Sequence, residues 1–226
     1  MKLNTSSSST EPKETPEQSR QRVHSEMSEL HQQYKTLTSD HLNTLFHTNP
    51  NLWYYYHAMS ESNEASFPEA EIPRNRIIRA IDQIRTKRTK RVVDMGCGKA
   101  QISQHFQNDP RFEFFNYDHV ASNDSVISCD ISKTPLEDDS VEICILSLAM
   151  WGSNCEQYIQ EAYRILESGG KLYIIEPTKR WTEKDSCGIP VPGTEGDRLK
   201  HQLTAAGFHI IQTQIAKFCM FEVLKR

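Results

Sequence analysis

The sequence contains no run of eighteen apolar residues, no Cys-x-x-Cys pair, no paired Cys/His spacing and no excess of positive charge. The first absence argues against a membrane-crossing helix, which needs about 20 predominantly apolar residues. The opening Met1-Lys2-Leu3-Asn4, followed by serines, also lacks the apolar stretch of a secretion signal. An intracellular protein with no membrane partner is therefore expected. The six cysteines (Cys97, Cys129, Cys144, Cys155, Cys187 and Cys219) stand singly. Three of them, Cys97, Cys129 and Cys144, fall in or beside apolar runs where cysteine behaves as a small buried hydrophobe. They read as reduced thiols, and no metal site is expected. A formal net charge of -4 supplies no global field that would attract nucleic acid, so any such contact must come from a local patch.

At 226 residues, 37% hydrophobic and 25% charged, the chain suits one globular domain with extra segments at its ends. Residues 1–36 are rich in Ser, Thr, Glu, Gln and Pro, and are expected to be a disordered tail, because they bury too little surface to offset ordering entropy. Residues 37–90 form a helical lead with a basic segment. Its signals are LNTLF, NLWYYYHAM and the periodic Ile77, Ile78, Ile81 and Ile84 after Pro73. From Arg74 to Arg91, eight cations stand against the single acid Asp82. That stretch reads either as a contact for RNA phosphates or as a solvated helix face followed by a basic linker.

Residues 91–226 alternate short β-rich runs with amphipathic helical stretches, the pattern of βαβ units around a parallel sheet. The runs are RVVDM, FEFFNYD, VISCD, VEICILSL, KLYIIE, FHIIQTQ and FCMFEVL. Too few residues separate the last two for a crossover, so they should pair as an antiparallel hairpin. A helix is expected over about Cys155 to Leu166, stopping at Gly169-Gly170, which turn the chain into KLYIIE.

Glycine is scarce, yet Gly96 and Gly98 occur together in Asp94-Met95-Gly96-Cys97-Gly98, at the carboxyl end of the first run, where open parallel sheets bind ligands. A dinucleotide fingerprint would place a third glycine at position 101, which is Gln101, so the pyrophosphate reading weakens. Asp118 closes the second run, where a carboxylate can accept the ribose hydroxyls of an adenosine-containing cofactor; a helix or turn cap is the alternative. Asp130 closes the third. It could accept an adenine amino group while Ile131 covers the ring, or it could form an Asx-turn.

These segments, with PLEDDSVEICILSL and ESGGKLYIIE, resemble class I methyltransferases in order. The resemblance implies a Rossmann-like α/β fold, a mostly parallel sheet with a C-terminal antiparallel hairpin, and S-adenosyl-L-methionine as cofactor. A narrower resemblance lies in SLAMWGSN, CDISKTPLEDDSVE, LFHTNPNLWYYYHAM and FCMFEVLKR, over about Leu42 to Arg226. These look like the ribosomal RNA-processing protein 8 family, methyltransferases associated with adenine-N1 methylation of ribosomal RNA. Carried over, the resemblance implies cofactor contacts from His57, Gly96, Asp118, Asp130, Ile131 and Ser147, with Gly98 in the same loop. It also implies a helical lead that folds over the cofactor, an RNA substrate and action in the nucleus or nucleolus.

The sequence departs from that family in its short, non-basic leader and in a longer link from Lys184 to Gly196. Beside the methyl position, Trp151 is a candidate for stacking on substrate and Asn154 for hydrogen bonding. Trp151 could equally be core, and Asn154 a helix N-cap. Methyl transfer requires no protein nucleophile, and none is assigned. An Asn/Asp-Pro-Pro-Tyr motif is absent, which argues against exocyclic amino targets. RNA base, small molecule and a non-catalytic cofactor-binding role all remain open on the residues alone.

Overall fold

A computed structural model describes residues 15–226. Its helices are α1 (Pro16–Tyr34), α2 (Ser39–Thr48), α3 (Pro50–Glu64), α4 (Pro73–Asp82), α5 (Gln101–His105), α6 (Glu156–Ile165), α7 (Thr178–Trp181) and α8 (Asp197–Ala205). Its strands are β1 (Lys90–Met95), β2 (Phe112–Asp118), β3 (Val126–Ser128), β4 (Val141–Ser147), β5 (Leu166–Pro177), β6 (Phe208–Ile215) and β7 (Phe218–Lys225). They form one sheet in the order β3-β2-β1-β4-β5-β7-β6. The first five strands are mutually parallel, and β7 runs antiparallel between β5 and β6. The mostly parallel sheet and the closing hairpin match the expectation.

Successive side chains on the central strands point to opposite faces, and both faces are covered. Cys144 and Leu146 on β4 join a cluster with Ile159, Ala162, Leu172 and Phe221. Ile143 and Ile145 join the other, with Ile77, Ile81, Val92 and Ile175. Of the isoleucines read as periodic in the lead, Ile77 and Ile81 are thus the face that α4 buries against the sheet, while Ile78 and, past the helix end, Ile84 are partly buried beside them.

Two expectations are corrected. The disordered tail was expected to run from 1 to 36; residues 1–14 lie outside the described residues, but residues 16–34 form α1. Thr15 and Gln18 cap its first turn reciprocally, with Pro16 at the first helical position. Met27, Leu30 and Tyr34, spaced at helical intervals, give it one apolar stripe, with Tyr34 packing edge-on against Phe46 at 5.3 Å. With Val23, that makes four apolar residues in a nineteen-residue polar helix, too few to stand out as a period. The second correction concerns Gly169-Gly170, which do not precede β5 but lie within it. The pairing with β4 shifts between Val141 and Ile143. A Cβ on Gly170 would come within 2.8 Å of the Glu167 carbonyl oxygen, so the bulge requires the missing side chain.

The lead forms a third apolar cluster of Tyr34, Leu42, Phe46 and Trp53. It is fastened to the sheet domain through Ser39 at the start of α2. The Ser39 amide donates to Asn154 Oδ1 at 2.8 Å, and its hydroxyl donates to Asp130 Oδ1.

Candidate functional site

The carboxyl ends of β1, β2 and β4 open into a cavity roofed by α2 and α3. Its floor is the turn after β1. The amides of Gly96 and Cys97 both donate to the Tyr117 carbonyl, at 2.7 and 3.0 Å, which bends the chain sharply. Gly96 has a φ of 79°, and a Cβ there would lie 2.6 Å from Ala149 Cβ. Only glycine satisfies both constraints. Gly96→Ala is therefore expected to destabilise the protein by about 2–4 kcal/mol, as a denaturant midpoint shifted at constant slope. An unshifted midpoint would show that the turn is not under this constraint.

Asp118, 6% exposed at the end of β2, accepts from the Gly98 amide at 2.8 Å and from the Trp53 indole at 2.7 Å. Asp94, 1% exposed, lines the same cavity, and its Oδ1 has no hydrogen-bond partner. Burial, reinforced by the neighbouring Asp118, pushes its carboxyl up to about 7. A buried orphan acceptor of this kind suits a cationic group entering the cavity.

His57, on α3, lies over the glycine turn: a Cβ on Gly98 would be 3.0 Å from His57 Cε1. Its ring lies against Trp53, centroids 3.7 Å apart, and burial lowers its pKa. Ile131 and Ser147 line the cavity too. Asp130 does not; its Oδ1 accepts from Ser39 and, at 2.9 Å, from the Ser132 amide, forming an Asx-turn just behind Ile131.

Of the two substrate-side candidates, Trp151 borders the cavity. Its indole donates to the Leu148 carbonyl at 2.8 Å, and its ring packs on Tyr56 at 4.4 Å and His31 at 4.7 Å. Asn154 is held elsewhere: its amide donates to Gln157 Oε1 at 2.7 Å while its Oδ1 accepts from Ser39. It does not cap α6, whose N-cap residue is Cys155, without a side-chain bond. The local job of Asn154 is to join lead and sheet domain.

Several residues in and around the cavity gave no sign in the sequence. Leu148 adopts a φ of 55°, which an L side chain tolerates poorly, at the bend that carries Ser147 to Trp151. Glu176, fully buried at the end of β5, accepts from the Met150 amide at 3.1 Å and steadies that bend; burial raises its pKa. His31 of α1 bonds Tyr56 Oη at 3.1 Å and packs against the Trp151 ring. Burial lowers its pKa to about 4, so it does so as the neutral ring.

The basic stretch does not form one surface. Arg74 borders the cavity but pairs with Glu64, and Arg76 donates to the Phe218 carbonyl at 3.2 Å. Arg88 and Arg91 sit at the amino end of β1, where Arg91 donates to the Ser140 carbonyl at 2.7 Å. The six residues of β1 put them about 20 Å from the cavity.

The profile of a family described as "Hypothetical methyltransferase" matches residues 17–226. The chain belongs to that methyltransferase family. It is 30% identical over 202 residues to a 25S rRNA (adenine(645)-N(1))-methyltransferase of Schizosaccharomyces pombe, covering 87% of this chain and 60% of that one. It is 33% identical over 145 residues to ribosomal RNA-processing protein 8 of Arabidopsis thaliana, covering 64% of this chain and 48% of the relative. The chain thus spans roughly half to three-fifths of the length of these relatives.

Among solved structures, an S-adenosylmethionine-dependent methyltransferase of Thermotoga maritima superposes with a TM-score of 0.53 at 16% identity, over 77% of this chain and 99% of that one. The cyclase SpnF does so with the same score and identity, over 66% and 80%. These likenesses show the class I methyltransferase fold. A cyclase among them means that function must be argued from the site.

Proposed function

We propose that the chain is an S-adenosylmethionine-dependent methyltransferase acting on a base of ribosomal RNA, at N1 of adenine. The observation that carries the cofactor is the orphaned, buried Asp94 oxygen in one cavity with Asp118 and the close-approach turn at Gly96. This acceptor set fits a ligand with a cationic end and a ribose. Ribosomal RNA comes from the names of the relatives, which methylate or process it. An rRNA-processing role would put the protein in the nucleus or nucleolus.

S-Adenosylmethionine supplies a methyl group on a positively charged sulfur, and transfer is an in-line displacement governed mainly by how the reactants are held. Asp118 would hold the ribose, Asp94 the cationic amino-acid end, and the backbone at Gly96 and Gly98 the space between. Ile131 would cover the adenine, with Asp130 behind it. His57 and α3 close over the turn and exclude water, while Ser147 and the bend to Trp151 border the methyl end. Trp151 and Tyr56 offer ring faces against which a substrate base can stack. RNA would reach Arg85–Arg91 only by running from the cavity mouth along α4 to the opposite, amino end of the central strands.

Incubation with tritiated S-adenosylmethionine and total RNA, beside protein and metabolite fractions, tests this reading. The expected result is label in the RNA as 1-methyladenosine, with RNA binding that weakens steeply as salt rises. Unlabelled RNA would remove the substrate assignment, and label confined to metabolites would replace it.

A further inference from the structure

Asp118 is tied to the helical lead by a bond that nothing local in the sequence announces. Trp53, 2% exposed on α3, directs its indole N–H at Asp118 Oδ1 from 2.7 Å. That distance is at the short end for an N–H donor, as expected when the acceptor is a carboxylate. The other oxygen, Oδ2, accepts from the Gly98 amide at 2.8 Å. A carboxylate offers about four lone-pair sites, two on each oxygen. The two protein donors occupy one on each, and one on each is left. The two hydroxyls of a ribose need that number.

The indole is also poorly placed to leave. Its ring lies against His57 at 3.7 Å and meets Tyr54 edge-on at 5.1 Å, within the apolar cluster of Leu42 and Phe46. Turning it out would expose a large aromatic surface and break a charge-assisted bond.

We propose that Trp53 is a positioning residue for the ribose-binding carboxylate. With the Gly98 amide it holds Asp118 from two sides, so that the remaining acceptor sites meet a ribose diol as a matched pair. The proposal rests on reading the cavity as the S-adenosylmethionine site. It makes α3 part of that site's specificity for a ribose, and not only a cover over it.

The test titrates the full chain and its Trp53→Phe variant with S-adenosylhomocysteine and with the same compound lacking both ribose hydroxyls, followed by NMR shifts to reach weak affinities. Trp53→Phe keeps a packed ring and removes the donor. It should weaken binding of the ribose compound by about tenfold or more and leave the dideoxy compound nearly unaffected. Equal weakening of both would mean that the indole only packs, and tighter binding by Trp53→Phe would mean that it obstructs; either overturns the proposal.

If the variant does not fold, the wild type decides by itself. The Trp53 indole N–H, assigned with Trp151→Phe and Trp181→Phe, should stay protected from solvent exchange when S-adenosylhomocysteine binds, and loss of protection overturns the proposal. No binding by the wild type removes the cofactor reading and the proposal together. Binding with unchanged Trp53→Phe affinity removes the proposal alone.

Discussion

Asp118→Ala is expected to lower affinity for S-adenosylmethionine by about a hundredfold or more, read by isothermal titration. The change removes the acceptors proposed for two ribose hydroxyls, and about 2.7 kcal/mol corresponds to that factor. It also leaves the Gly98 amide and the Trp53 indole, both bonded to this side chain, without their acceptor. Each buried donor so stranded costs about 1–3 kcal/mol, so the melting temperature should fall as well. Asp118→Asn keeps one acceptor oxygen of the same shape and should lie between wild type and alanine in both respects. Binding that survives Asp118→Ala unchanged would remove the ribose assignment.

The parts of the fold that were legible in sequence are those where a single physical pressure acts on every residue. β1 and β4 are buried on both faces over most of their length, and β2 toward its carboxyl end, so their β-branched and aromatic runs coincide with the strands to within a residue or so. β5 was misjudged at its start because glycine marks a turn and a bulge alike. α1 was missed because its stability comes from docking Met27, Leu30 and Tyr34, which composition does not weigh.

In the site, Gly96 and Gly98 were legible because a close approach needs glycine, and Asp118 because strand ends in parallel sheets face ligands. His57 was marked only by family resemblance. Trp53 reaches an acid 65 positions along the chain, and Glu176 reaches a backbone amide 26 positions away. Such pairs exist only after the lead has folded across the sheet. Asp130 was noticed for closing the third run and Asn154 for its place after SLAMWGS, but the fold uses both to hold Ser39, and Asp130 forms the Asx-turn that was its alternative.

Asp94→Asn is expected to stabilise the empty protein above neutral pH and to weaken cofactor binding. The Asp94 carboxyl is raised from an ordinary 3.8 to about 7. Between those values the folded state holds a proton that the unfolded state has released, so stability falls as pH rises through this window. The difference corresponds to about 4 kcal/mol of stability, present in full below about pH 4 and lost by the time pH exceeds 7. Asparagine does not titrate and escapes that loss. Its amide needs an acceptor, which reduces the gain to about 2–3 kcal/mol, or about 5–10 °C in melting temperature at pH 8. The variant's advantage should shrink as pH falls and reverse before pH 4, where only the cost of the unpartnered amide, about 1–2 kcal/mol, remains; a constant offset across pH would show that Asp94 is not the titrating group. The opposite effect on binding follows from the same burial. An ionised carboxylate that is costly in the empty cavity is a strong partner for an ammonium group brought beside it, and Asp94→Asn removes that charge. Wild-type affinity should therefore rise as pH passes through about 7, while the variant binds about tenfold or more weakly at pH 8 with a flat profile. A variant more stable and equally tight would mean that the charge at Asp94 serves something other than the cofactor.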